Sequence, residues 1–179
     1  MAVSGKYKTR FSRELLWQTL LSSDAICYAI PELVRLERID TEADEAHSET
    51  MRWRGEGFFP GSASAASVSN GTARMTTAIV TAGNLNPYQG YTLQFESEIG
   101  HKWVQAAATI TLTAEAFEPA QSGQDGLSPT GADGTLIRWE AEIHDTSGRP
   151  HAVFEWMAGL AAQHFFRRID LYLKNSPHK

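Results

Sequence analysis

The chain's histidines, His47, His101, His144, His151, His164 and His178, are its first candidates for chemistry, and their spacing is unpromising. No His-x-x-x-His pair sets two imidazoles on one helix face, so a metal site would have to be assembled entirely by the fold, and none is expected. A hydrolase would set a nucleophile beside a base, yet the chain has no Gly-x-Ser-x-Gly elbow. Cys27 is the only cysteine. It excludes an intramolecular disulfide and reads as a buried thiol in a reducing compartment. Gly55-Glu56-Gly57 has no helix start behind it, so no phosphate cradle forms, and it reads instead as a strand bend that curves a sheet. No catalytic residue, metal or cofactor is assigned.

What remains is apolar and aromatic. Alternation turns Met51, Trp53, Leu93, Phe95 and Trp139 inward, while Ala106, Ala108 and Ala141 leave volume between them. Gln94, Glu96 and Arg138 fall on the opposite, outward parity. Met157, Ala161 and His164 belong to a helix that faces these strands. Core packing accounts for each of these residues taken singly.

The elements that must position them follow from periodicity. Val3, Gly5, Tyr7, Thr9 and Phe11 alternate with polar residues as a half-buried first strand. Ser12 caps a helix from Arg13 to Leu21, Ser22-Ser23-Asp24 recaps a second short one, and Pro31 ends that at Ile30. Strands follow over Leu33–Asp40, Thr50–Phe59, Thr72–Thr81, Tyr91–Ile99, Trp103–Thr113 and Thr135–Asp145. Between them, Thr41–Glu49 reads as a solvated turn, Ser62–Ser69 as a short strand or a loop, and Asn84–Gly90 as a loop by its Asn, Pro and Gly content. Asn70-Gly71 marks a tight turn. The stretch 117–134, rich in Pro and Gly, reads as a flexible connection: a floppy insertion, or a lid or docking loop.

The last element, His151 to Lys174, is a helix of roughly 24 residues and about 36 Å. Its expected apolar rows are Phe154, Ala158, Ala161, Phe165, Ile169 and Tyr172, with a second through Val153, Met157, Leu160 and His164. The centre is small, at Ala158, Gly159, Ala161 and Ala162. Such a centre either lets a sheet approach closely or leaves room for a guest. Arg167, Arg168, Lys174, His178 and Lys179 gather near the end, where cations pair favourably with the helix dipole; a weak foot on an anionic membrane is the functional alternative.

At 179 residues the chain, 1–179, forms a single domain able to bury a core without staples. Its 21 acidic residues outnumber 16 basic ones, which removes the positive field a nucleic-acid partner needs. The first residues lack the apolar core of a signal peptide and no stretch is long and apolar enough to span a membrane, so the expected location is cytoplasmic.

The order of elements resembles the helix-grip fold of the START and polyketide-cyclase superfamily. That fold is α+β: a curved antiparallel sheet of about six to seven strands wraps a long C-terminal helix, with two short helices after the first strand. FSRELLWQTLLSSDAICYAIPELVRLERID, NLNPYQGYTLQFE, GTLIRWEAEI and AAQHFFRRI are similar to successive segments of the family of G-type subunits of carbon monoxide dehydrogenase. The resemblance implies a cavity between sheet and helix for a hydrophobic small molecule (a lipid, quinone or polyketide-like compound). It also implies service to a molybdenum-containing dehydrogenase complex, in its maturation or by carrying quinone. In that cavity would stand Met51, Trp53, Leu93, Phe95, Ala106, Ala108, Trp139, Ala141, Met157, Ala161 and His164. Its rivals are a polyketide cyclase, aromatase or dehydratase, whose ionisable group would be His164 or else Tyr91, and a protein-docking module.

Overall fold

The computed structural model describes residues 2–40, 50–58, 75–100, 104–116, 133–145 and 151–176, with the side chains at 89, 133, 145 and 151–158 outside the description. The expected features at Thr41–Glu49, Ser62–Ser69 and Asn70-Gly71, and the connection up to residue 132, lie outside the described residues.

The first strand, β1 (Ala2–Thr9), is followed by helices α1 (Arg13–Leu20) and α2 (Ser23–Ala29). Both helices start on the serines the sequence marks. Ser12 and Ser22 hold extended backbone, and their hydroxyls accept the N–H of Leu15 at 3.3 Å and of Ala25 at 3.5 Å. Pro31 keeps Ile30 out of helical geometry, at φ −114° and ψ 95°, and α2 stops there.

The strands β2 (Leu33–Arg38), β3 (Thr50–Gly57), β4 (Thr76–Gly83), β5 (Thr92–Ile99), β6 (Val104–Ala116) and β7 (Asp133–Asp145) join β1 in one sheet of order β1-β7-β6-β5-β4-β3-β2, antiparallel throughout. β6 runs past the expected Thr113 because its backbone ladder with β7 continues to Ala116↔Asp133. Ladder bonds are indifferent to side-chain identity, so the extension through Ala114, Glu115 and Ala116 carries no pattern of its own in the sequence. Residues 133 and 134, which composition assigns to the flexible connection, belong to β7. Between β4 and β5 the chain turns through left-handed Asn84 (φ 59°) and a short 3-10 turn at Pro87–Gln89, and leaves it through Gly90 at φ 122°.

The long helix α3 covers His151–Asn175. Its Phe166, Ile169 and Leu173 are buried, at the i, i+3, i+7 spacing of one helix face. They join Leu16 and Leu20 of α1, Ala25 and Ala29 of α2, and Leu93, Ile110, Leu112, Ile137 and Trp139 of the sheet in one cluster. A second cluster gathers Leu33, Leu36, Trp53 and Ala82 under the β2 edge.

Glycines 55 and 57 sit inside β3 for a reason of approach. A side chain at Gly55 would lie 2.9 Å from Leu33 Cδ1, and one at Gly57 would overlap the Glu32 carbonyl. They let the chain entering β2 lie directly on β3.

Candidate functional site

Strand register assembles the inner face into rows. Gly5 of β1, Trp139 of β7, Ile110 of β6 and Leu93 of β5 stand opposite one another across the sheet. The next row is Val3, Ala141, Ala108, Phe95, Ala82 and Met51. The row beyond is Ile143, Ala106, Ser97, Val80 and Trp53. All the candidates that the sequence placed on strands therefore lie on neighbouring rows of one face.

The rows differ in closure. Leu93, Ile110 and Trp139 are buried, under α1 and the C-terminal half of α3. In the middle row only Ala82 is buried, whereas Val3, Ala141, Ala108, Phe95 and Met51 are all half-exposed. Ala106, Ser97, Val80 and Ile143 are likewise half-exposed. Phe95 packs against both clusters and so marks the seam between them. Trp53 and Leu93, at 1% and 0% exposure, are core packing residues, with no open space at their surfaces.

Trp139 brings the one polar atom of this face that needs comment. Its Nε1–H is buried and has no hydrogen-bond partner. The indole lies over bare backbone: a Cβ built on Gly5 would meet Cζ2, Cε2 and Nε1 at 2.6, 2.8 and 2.9 Å.

On α3 the expected rows need correction. His164 and Ala161 are exposed and Leu160 is 39% exposed, so the row through Leu160 and His164 looks outward. The inward stripe is Ala162, Phe165, Phe166, Ile169, Tyr172 and Leu173. Apolar residues occupy most of the helix circumference, and packing against β1 and α2 fixes a phase that composition leaves open. The side chain of Met157 lies outside the described residues. Among the described residues no atom would come within 4 Å of a Cβ added at Gly159, so close approach of the described strands does not account for that glycine.

Ionisable groups stand away from the inner rows. The Tyr91 hydroxyl donates to Glu14 Oε1 at 3.1 Å, and Arg13 lies 4.4 Å over its ring. Burial, followed by that hydrogen bond, pushes the phenol up. Cys27 is half-buried rather than buried; burial and Asp24 raise its thiol, the opposite of activation. Among the described residues no group of three His, Cys, Asp or Glu gathers to hold a metal, and no helix is long and apolar enough to cross a membrane. Of the terminal cations, Arg168 donates to the Tyr28 carbonyl at 2.8 Å and tethers α3 to α2, Arg167 and Lys174 are exposed, and 178 and 179 lie outside the described residues.

Gln94, Glu96 and Arg138 point outward as expected. The outer face carries an open groove of about 290 Å³ along Ser4, Lys6, Thr109, Thr111, Arg138 and Glu140, which Gly5 and Trp139 also line. It lies open to solvent on the face opposite the inner rows.

Sequence reasoning misses Asp170, which accepts from Thr9 Oγ1 at 2.6 Å and from the Tyr7 hydroxyl at 3.1 Å. Its only signal is one carboxylate close to the apolar stripe of a helix. This clamp ties α3 to β1.

No protein-family model matches the chain, and no curated protein matches it in sequence. Solved structures do match it in shape. A conserved protein from Geobacillus kaustophilus superposes with a TM-score of 0.65 at 18% identity, over 99% of this chain and 98% of that one. A START superfamily protein from Mycobacterium smegmatis gives 0.67 at 13% identity, over 97% of both chains. Ara h 8.0201 gives 0.62 at 11% identity, over 98% of this chain and 99% of its own. At such identities the likeness speaks to architecture alone, and the architecture is the helix-grip fold shared with a START superfamily protein.

Proposed function

We propose that the protein binds a hydrophobic small molecule, of the lipid, quinone or polyketide type, between the inner face of its sheet and α3. The carrying observation is the middle row: Val3, Ala141, Ala108, Phe95 and Met51 are apolar, point inward and stay half-exposed, beside a row that is closed. Apolar surface of that kind on an inner face is what a guest would remove from water. Ala106 and Trp139 flank it, and Met157 is proposed to close it from the helix.

Binding without catalysis is favoured over the cyclase-type reading. His164 is exposed and the Tyr91 hydroxyl is engaged with Glu14 at the surface, so neither group offered for catalysis faces the rows. The similarity of four segments to the G-type subunits of carbon monoxide dehydrogenase supports service to a molybdenum-containing dehydrogenase as the biological setting.

The test is native mass spectrometry of protein purified without detergent, followed by solvent extraction. A discrete adduct whose extract is an apolar small molecule is the expected result. Protein that stays bare after incubation with lipid and quinone extracts would defeat the reading.

A further inference from the structure

Resting on this cavity reading, the geometry points to Trp139 as the residue that selects the guest: its indole N–H is the donor to a neutral oxygen acceptor on an otherwise apolar ligand. The side chain is 7% exposed, its Nε1 is buried, and nothing accepts its proton. Buried donors are nearly always paired, because an unpaired one forfeits its water without compensation.

The neighbours on the same face are committed elsewhere or lack acceptors. Tyr7, next along β1, gives its hydroxyl to Asp170, and Thr9 does the same. Ile110, Ala141 and Ile137 around it on β6 and β7 are hydrocarbon. Gly5 leaves the ring edge over bare backbone, where any larger residue would displace it. The half-exposed Val3 and Ala141 adjoin it in the next row, so a guest lying along that row passes beside the indole.

The acceptor class follows from charge. Among the described residues, the inner faces of β1, β5, β6 and β7 carry no cation. A carboxylate or phosphate buried there would lack a counter-ion. A ketone, ester or quinone carbonyl, or an ether, needs only the one donor that Trp139 supplies.

Fluorenone and fluorene are a rigid matched pair, differing by a carbonyl in place of a methylene. Each is titrated into 15N-labelled protein while the Trp139 indole resonance, assigned by through-bond experiments, is followed. Fluorenone should move that resonance downfield and bind about three- to tenfold tighter than fluorene, the range of one net neutral hydrogen bond. Trp139→Phe should erase the preference, so that the two compounds bind alike. If both compounds bind equally and the indole proton keeps its position, the assignment of Trp139 is wrong and the apolar cavity stands. If neither binds, both readings fall. The wild-type shift decides the matter even where the Phe variant fails to fold.

Discussion

The Thr9 hydroxyl donates to Asp170 Oδ1 at 2.6 Å, joining the end of the first strand to the last helix across 161 residues of chain. Tyr7 donates to the other carboxylate oxygen at 3.1 Å. Thr9 is only 3% exposed, so losing the acceptor strands a hydroxyl away from water. Asp170→Ala should therefore destabilise the fold by about 1–3 kcal/mol, and Asp170→Asn, which keeps one acceptor oxygen, by less. Urea unfolding measures both. Equal effects would mean that the carboxylate acts by charge or packing instead of as a double acceptor.

Tyr7 gives the same clamp a pH dependence. Burial, then the Asp170 charge and hydrogen bond, push its phenol from the ordinary 10 up to about 12. A raised folded-state value favours the protonated form, so the contribution is complete below pH 10 and is lost as pH rises toward 12. The stability gap between wild type and Tyr7→Phe should be constant from about pH 7 to 9 and shrink between about 10 and 12. Chemical unfolding at stepped pH checks this; a gap that widens over that interval contradicts the sign.

Glycines at two places should answer oppositely to alanine. At Gly57 the new methyl meets the Glu32 carbonyl, which is backbone and cannot swing aside, so Gly57→Ala should cost about 1–3 kcal/mol. Around Gly159 there is open space inside a helix, so Gly159→Ala should gain up to about 1 kcal/mol. Thermal melts of the two variants should move in opposite directions.

Much of the fold is legible in the sequence because strand parity and caps are local. Ser12 and Ser22 announce their helices, Pro31 its stop, and alternation places Phe95, Ala108 and Trp139 on one face. What local pattern leaves open is registration between elements. His164 reads as part of an inward row because α3 is apolar around most of its circumference, and only packing against β1 and α2 chooses the face. Asp170 reads as helix surface in a sequence that cannot show β1 bringing two hydroxyls to it. The unpartnered indole N–H of Trp139 is likewise a property of neighbours, invisible in a residue that reads as core.

Ala108 and Ala141 face each other across β6 and β7 in the half-exposed row, so a larger residue there distinguishes a filled core from a space kept for a guest. In a filled core, Ala108→Leu would overpack and cost about 1–3 kcal/mol. In a row left open for a ligand, the added carbons enter that space, so stability should change by less than about 1 kcal/mol while fluorene affinity falls about tenfold or more, as shape complementarity is lost. Ala141→Leu should behave alike, and Thr109→Leu, next to Ala108 on the outward parity, should leave fluorene binding unchanged. Paired thermal melts and fluorene titrations read both quantities on the same samples. A large loss of stability without loss of binding would assign this row to the core and move the guest elsewhere.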